Sequence, residues 1–448
     1  MADGMQKLYD VVVVGGGVTG SALLFALSRY TNIKSALLLE KYNKIAALNS
    51  NAHSNSQTLH FGDVETNYTV EKAKHVKTQA EYLLNYTKRF LKGDERDKII
   101  QHCQKMVLGV GSGEVKALEK GYDSLKPVFP GLKKVNANGL AKIEPKVMDG
   151  RNRREEVLAL LSNKGYMVDF GRLAGTFISN AKVNKKKKID VKLGEPVIDA
   201  KRGNEYYSVH TRNGVVHAKF VAFEAGTYSL YFAKKFGYDK GLSILAIGGG
   251  FYYSKRMLRG KVYRVQHGGI PFAAIHADPD ITDPKVTRYG PTVTIDIELE
   301  KGHPETIPDY ISAFEKDIHT FETVRKILGN RDIQRIIDNN MLYSMPIIGK
   351  HRFVDNEARK IIPKIGYDDV WFDKSAGGIR PQIIDEQKRK LVLGEARLQR
   401  EGLIFNITPS PGASSCVGNA LEDASYITEY IDAEFDRELF NKEIGSRG

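Results

Sequence analysis

Cysteine is scarce in this chain. Its two cysteines in 448 residues, Cys103 and Cys416, cannot build a disulfide framework or, alone, a structural zinc site, so a reducing compartment is the default expectation. Long apolar runs are also missing. The most apolar windows, residues 10–18 and 242–251, are cut by glycine and have strand length, short of the roughly 18 residues a spanning helix needs. An integral membrane protein is therefore not expected, and residues 1–9 lack the charged-then-apolar layout of a secretory signal. No internal repeat is evident. With 42% apolar and 27% charged residues, 42 Gly and 15 Pro, the composition excludes disorder, collagen and low-complexity arrays and predicts an ordinary globular chain of two or three domains. Acidic residues are the minority sign: 67 Lys and Arg against 54 Asp and Glu leave +13, which favours anionic partners such as nucleic acid, acidic lipid headgroups or an acidic small substrate. The one dense basic run, Lys185 to Lys188, reads as a solvated loop.

What is present begins at the N-terminus. Asp10-Val11-Val12-Val13-Val14 is a β-branched run of buried-strand length that leads into Gly15-Gly16-Gly17-Val18-Thr19-Gly20. Ser21 to Tyr30 reads as a helix with Leu23, Leu24 and Leu27 on its apolar positions, and a second strand, Ser35 to Leu39, ends in Glu40, 20 residues beyond Gly20. Each part of this unit has a mechanical reason. Gly15 makes the tight turn, Gly17 lets backbone approach a pyrophosphate, Gly20 permits close helix packing, and Glu40 can accept from a ribose hydroxyl. The helix N-terminus favours the phosphate charge. A dinucleotide site is predicted here.

The choice between NAD and FAD rests on position and on later segments. A fingerprint starting at residue 15 of a long chain is typical of flavoproteins whose nucleotide domain is interrupted. Residues 189–193, 205–211 and 215–223 read as a strand meander with Asn213-Gly214 as a type I′ hairpin turn, running into Phe223-Glu224-Ala225-Gly226-Thr227. Near the C-terminus, strand Leu403 to Ile407 meets a Pro-Gly-Ser loop over residues 408–415 and an amphipathic helix from about Cys416 to Phe435, with Ser414 or Ser415 as N-cap. This predicts a mixed α/β and α+β fold. A Rossmann-like FAD-binding domain (1–90, 150–235 and 372–448) is interrupted by a sheet-containing substrate domain (91–149 and 236–371).

These residues resemble the FAD-dependent malate:quinone oxidoreductases, within the D-amino-acid-oxidase-like flavoproteins. The resemblance is carried by Val11 to Gly20, Asn55-Ser56-Gln57-Thr58-Leu59-His60, Glu65-Thr66-Asn67-Tyr68-Thr69, Pro271 to His276, Tyr289-Gly290-Pro291-Thr292, Gly378-Ile379-Arg380-Pro381-Gln382 and Thr408 to Ser415, and extends from residue 11 to about 420. It implies FAD contacts at Gly15, Gly17, Val18, Thr19, Gly20, Glu40, Lys41, Asn55, Ser56, Thr58, Val197, Ala225, Gly226, Gly378, Pro411, Gly412, Ala413 and Ser414. The implied activity is oxidation of (S)-malate to oxaloacetate with electrons passing to a membrane quinone, a step of the tricarboxylic acid cycle that feeds a respiratory chain. The implied location is peripheral, on the inner face of an energy-transducing membrane. The nearest rival is a related 2-hydroxy-acid or 2-hydroxyglutarate dehydrogenase or oxidase, whose relatives share the Arg-Pro-Gln at 380–382.

Oxidising a 2-hydroxy acid needs a hydride acceptor, a base for the hydroxyl proton, and cations that orient carboxylates. His276, between an apolar segment and the acidic turn Asp278-Pro279-Asp280, is the first candidate base; His60 is its competitor. Arg380, on a glycine-rich turn, offers the two-pronged donor suited to a carboxylate. Arg288 is the candidate second cation, with Gln57 and Tyr343 as further substrate contacts. No metal site is expected. The aromatic residues Tyr228, Tyr231, Phe232, Phe236 and Tyr238, interleaved with Lys234 and Lys235, read as the core face of a helix, with a membrane surface as the alternative. Cys416 reads as packing. No arginine-rich arm, recognition helix or aromatic RNA motif supports a nucleic-acid partner.

Overall fold

A computed structural model describes residues 8–238, 241–266, 274–314, 318–329, 331–345, 347–385, 387–392, 396–407 and 412–445. Strand β1 (Leu8–Val14) lies at the heart of the first sheet, with the whole of Val11–Val14 buried. It pairs in parallel with β2 (Ser35–Leu39) on one side, Val12 opposite Leu37, and with Gly214–Phe223 on the other, Val12 opposite Val221. Helices cover both faces of such a sheet, which is why these strands are continuous apolar runs. Helix α1 (Val18–Tyr30) returns the chain from β1 to β2 and packs beside helices Phe170–Ala181 and Cys416–Tyr430. Phe25 of α1 sits edge-on to Tyr86 and Phe90, with ring centroids 5.1 and 5.2 Å apart. The C-terminal helix stops at Tyr430, five residues before the expected end.

Two sequence expectations change in this sheet. Strand Lys188–Lys192 pairs in parallel with β2 at the sheet edge and takes no part in the meander. The meander consists of Val197–Arg202, Tyr207–Thr211 and Gly214–Phe223; Thr211 pairs with Gly214, so its two-residue loop is Arg212-Asn213 and not Asn213-Gly214. The run at 185–188 is also more than a solvated loop. The Lys187 ammonium donates to the carbonyls of Leu27 (3.1 Å) and Ser28 (2.9 Å) and to that of Thr31. That places a cation at the negative end of the α1 dipole.

The second sheet runs Val370–Asp373, Phe251–Lys255, Val286–Gly290, His276–Pro279, Lys261–Arg264, Ile100–Val110, Val157–Val168, Lys133–Asn136. Strand Val157–Val168, expected in the nucleotide unit, belongs to this sheet because it is the antiparallel mate of Ile100–Val110 along nearly its whole length. Val370–Asp373 straddles the expected boundary at 372. A small third sheet joins the two units: Arg380–Asp385 pairs with Leu242–Gly248, Ile247 opposite Arg380. Helix Tyr228–Lys235 follows the core expectation. Its Phe232 is buried against Phe223, at 4.9 Å between centroids, and Phe223 stacks on Phe405. Cys103 and Cys416 are both buried and unpaired with each other. Among the described residues no helix is long and apolar enough to cross a membrane.

Candidate active site

A cavity of about 720 Å³ runs from the glycine loop after β1 to one face of the second sheet. At its first end the loop is shaped by close backbone approach. Gly15 has φ +112°, where a side chain would be strained and its Cβ would overlap the Glu224 carbonyl. A Cβ at Gly20 would overlap the Gly15 carbonyl, so Gly20 seats α1 against the loop and does not itself line the cavity. Gly17 does line it, and a Cβ there meets only Ser50 Oγ, at 3.2 Å. Gly17 occupies the N-cap of α1 without a side-chain cap of its own, and Val18 N donates to Ser50 Oγ at 3.0 Å; the positive end of the helix dipole lies at the cavity wall formed by Gly17, Val18 and Thr19, where it favours an anionic group.

Glu40 is buried at the end of β2 and lines the cavity. Burial pushes its carboxyl above the usual range, against the bonds it accepts from Gly16 N (2.7 Å) and Tyr42 N (2.8 Å). Each carboxylate oxygen retains a lone pair for a hydroxyl. Lys41 is engaged by Glu300, 2.6 Å away, and by the Tyr228 ring, 4.5 Å from its centroid. Val18, Thr19, Asn55, Ser56, Thr58, Val197, Ala225, Gly226, Gly378, Gly412, Ala413 and Ser414 also line the cavity. Pro411 and the neighbouring 408–410, like 271–273, lie outside the described residues. Ser414 Oγ accepts from His60 N (3.0 Å) and donates to the Thr58 carbonyl (3.2 Å), joining the C-terminal loop to the 55–60 segment. A glycine cradle, a helix N-terminus, a buried carboxylate at the end of β2 and a second helix N-terminus following Gly412–Ser414 suit an elongated dinucleotide, and the donor set fits FAD.

At the other end, Arg380, His276 and His60 line the same cavity. Arg380 opens strand Arg380–Asp385 after Gly377, whose φ is +103° and whose N–H donates to the His53 carbonyl at 2.8 Å. No carboxylate or carbonyl among the described residues pairs with the Arg380 guanidinium. Burial lowers it to about 10, which leaves it fully cationic at neutral pH. Gln382, two residues on, shares its strand face and also lines the cavity.

The two histidines are each backed by a carboxylate and a buried lysine. His276 and Asp278 alternate onto one face of strand His276–Pro279; His276 Nδ1 lies 2.5 Å from Asp278 Oδ2, a close contact without the alignment of a directed hydrogen bond. Lys261 Nζ stands 3.6 Å from the other Asp278 oxygen. Burial pushes the His276 imidazole below its ordinary range, although Asp278 pulls it up, so the ring is neutral at pH 7 and able to take a proton. Burial alone would raise Asp278, but His276 and Lys261 hold it below the usual carboxylate range. His60 Nδ1 meets Glu65 Oε1 at 2.8 Å. Burial opposes ionisation of Glu65 as well, yet Lys105 and His60 keep its carboxyl down at about 2. Lys105 bridges to Asp63 at 2.5 Å and is the parallel-strand partner of Lys261.

The structure does not bring Arg288, Gln57 and Tyr343 into the cavity. Arg288 is 2% exposed and is consumed by Asp280 (3.4 Å), the Asn55 carbonyl (2.9 Å) and the Phe251 ring, 4.2 Å from the centroid. It supports the Asn55 segment from behind. Gln57 accepts from Ile281 N at 2.9 Å and donates to Asp280 at 3.2 Å. Tyr343 is buried against Phe353 and donates to Glu357 at 3.1 Å. Glu357 in turn holds Arg264 at 2.5 Å, a cation that does line the cavity and that the sequence did not single out. The carboxylates and lysines behind the histidines were not singled out by the sequence either. For Asp278 the available signal was its i, i+2 spacing from His276 on one strand.

The malate:quinone oxidoreductase family profile matches residues 7–423. A probable malate:quinone oxidoreductase of Campylobacter jejuni is 38% identical over 450 residues, covering 98% of this chain and 99% of the relative. A malate:quinone oxidoreductase of Helicobacter pylori is 36% identical, covering 98% of each. In fold, the chain is similar to dithionite-reduced L-alpha-glycerophosphate oxidase of Mycoplasma pneumoniae with FAD bound (TM-score 0.66, 18% identity, 94% of this chain and 95% of that one). It is also similar to glycine oxidase of Geobacillus kaustophilus (TM-score 0.63, 16% identity, 98% of this chain and 99% of that one).

Proposed function

The chain belongs to the malate:quinone oxidoreductase family, and from that premise we propose that it oxidises malate to oxaloacetate at the cavity end bounded by Arg380, His276 and His60, and passes the electrons to a quinone. The observation that carries this reading is the Arg380 guanidinium: a half-buried cation with no protein counter-ion among the described residues, on the wall of the cavity that also presents a carboxylate-backed imidazole. A partly desolvated charge without a counter-ion is unfavourable, and a substrate carboxylate supplies that counter-ion. FAD, when bound, supplies the two-electron acceptor. Arg380 holds one malate carboxylate bidentately. His276 takes the hydroxyl proton at the ring nitrogen not turned to Asp278, and Asp278 balances the imidazolium that results. His60, with Glu65, is the second imidazole on the same cavity and the alternative base.

A quinone resides in the bilayer, so the chain works as a peripheral protein on the inner face of an energy-transducing membrane: the cytoplasmic side in a bacterium, the matrix side in a mitochondrion. There it links the tricarboxylic acid cycle to a respiratory chain. The +13 net charge supports docking on an anionic leaflet. A panel of 2-hydroxy acids added anaerobically tests the substrate: malate is expected to bleach the visible flavin absorbance, and preferential bleaching by 2-hydroxyglutarate would overturn the assignment.

A further inference from the structure

Exposed large hydrophobic side chains are scattered over most of this surface, but four of them fall within eight residues. Met341 (61% exposed) lies at the end of helix Arg331–Tyr343, Met345 (46%) and Ile347 (73%) follow it, and Ile348 (53%) opens helix Ile348–Phe353. Ile347 has the highest exposure of the exposed large hydrophobics among the described residues. It also has φ +60°, a conformation a β-branched residue adopts only under strain. The same turn has a well-made interior. Tyr343 and Phe353 are buried, and Gly349 packs so tightly that a Cβ would come within 2.5 Å of the Leu342 carbonyl and 2.6 Å of the Tyr343 carbonyl. The outward apolar residues are therefore not displaced core. Lys350, His351 and Arg352 follow Ile348 in the same short helix, with Lys350 only loosely held by Asp368 at 3.8 Å. Apolar tips with a basic collar match a layered partner, hydrocarbon beneath anionic headgroups.

We propose that the exposed apolar side chains of Met341, Met345, Ile347 and Ile348 are the element that enters the bilayer, Ile347 and Ile348 penetrating the acyl boundary while Lys350 and Arg352 engage anionic headgroups. The proposal rests on the peripheral-membrane reading above and gives it a place on the molecule. It also connects that place to the cavity. Tyr343, at the root of the turn, donates to Glu357, which holds Arg264 on the cavity wall.

The test uses the full flavoprotein and vesicles of phosphatidylglycerol and phosphatidylcholine. Both native cysteines are buried, so Ile347→Cys and, as a control at another exposed position, Val183→Cys (69% exposed) take an environment-sensitive fluorophore selectively. The Ile347 probe is expected to shift blue on adding vesicles, and to remain shifted in high salt, while the Val183 probe does not move. The double variant Ile347→Ser/Ile348→Ser is expected to partition to vesicles at least about tenfold less than wild type, as loss of two buried apolar side chains requires. Its FAD content and its malate oxidation with a water-soluble acceptor stay unchanged. Wild-type protein that fails to sediment with vesicles removes the membrane reading and this proposal together. Wild type that sediments, with a double variant that sediments equally and a silent Ile347 probe, removes the proposal alone. A double variant that changes oligomeric state without losing vesicle affinity assigns the turn to a second copy of the chain and equally overturns it.

Discussion

Asp278→Asn removes the counter-charge behind His276 while keeping the side chain's shape. In the native site the carboxylate lies 2.5 Å from Nδ1, and its charge is the main force opposing the burial that depresses the imidazole. Opposite unit charges about 4 Å apart at an effective dielectric of about 20 interact by about 4 kcal/mol. Lys261, 3.6 Å from the same carboxylate, repels the imidazolium and cancels part of this. A net loss of about 2–3 kcal/mol translates to roughly 30- to 160-fold in the rate of proton abstraction. The sign with pH follows from the same geometry. Because the ring's pKa already lies below its ordinary value of about 6.5, protonation silences the base only below that pH; removing Asp278 moves the acid limb lower still while depressing the plateau. Stopped-flow flavin reduction by malate, measured across pH in anaerobic buffer, reads both effects. Asp278→Asn/Lys261→Met is the companion variant, since it does not strand a buried ammonium. A reduction rate within about threefold of wild type, with an unmoved acid limb, would refute His276 as the base; the same assay on His60→Ala and Glu65→Gln then tests the competing pair.

Arg380→Lys keeps the charge and loses the fork, so kcat/KM for malate should fall at least about tenfold, mostly through KM, as expected for a charge-assisted contact of about 1.5–3 kcal/mol; unchanged steady-state kinetics would remove Arg380 from the site. Gly17→Val should give folded protein without FAD, because the added side chain projects into the cavity beside Ser50, whereas Gly20→Val should fail to fold because it strikes the Gly15 carbonyl; flavin absorbance and circular dichroism separate the two. Glu65, held at about 2, contributes stability that is fully present above the ordinary carboxylate pKa of about 4.3 and is lost as pH falls toward 2; Glu65→Gln should flatten the acid side of the melting-temperature profile, and an unaltered profile would contradict that assignment.

Much of the nucleotide end was legible in the sequence because its constraints are local. A β-branched run, glycines at fixed spacing and an acid closing the next strand are each dictated by sterics within about thirty residues, and β1, α1 and β2 appear where those signals lie. Strand Val197–Arg202 was missed because three of its six residues are charged and its partner is set by the meander, not by its own pattern. The substrate end was legible only in part. Arg380 and the two histidines were reachable from chemistry and the family's likeness. What holds Arg288 away from the cavity is an aromatic ring from another strand and a carboxylate eight residues away, packing that leaves no trace in Thr287-Arg288-Tyr289. Lys105 and Lys261 meet through strands 156 residues apart in the chain, a register that no single segment specifies.

The most direct test of the account is a sequential-mixing experiment on the purified flavoprotein in the absence of oxygen. Malate is mixed first, and a short-chain quinone is added once the visible flavin absorbance has settled. The account predicts bleaching on the first addition, with one oxaloacetate formed per flavin reduced, and recovery of the absorbance on the second. NAD in place of the quinone should give no recovery. A flavin that malate does not bleach, or that NAD reoxidises as readily as quinone, would contradict the account.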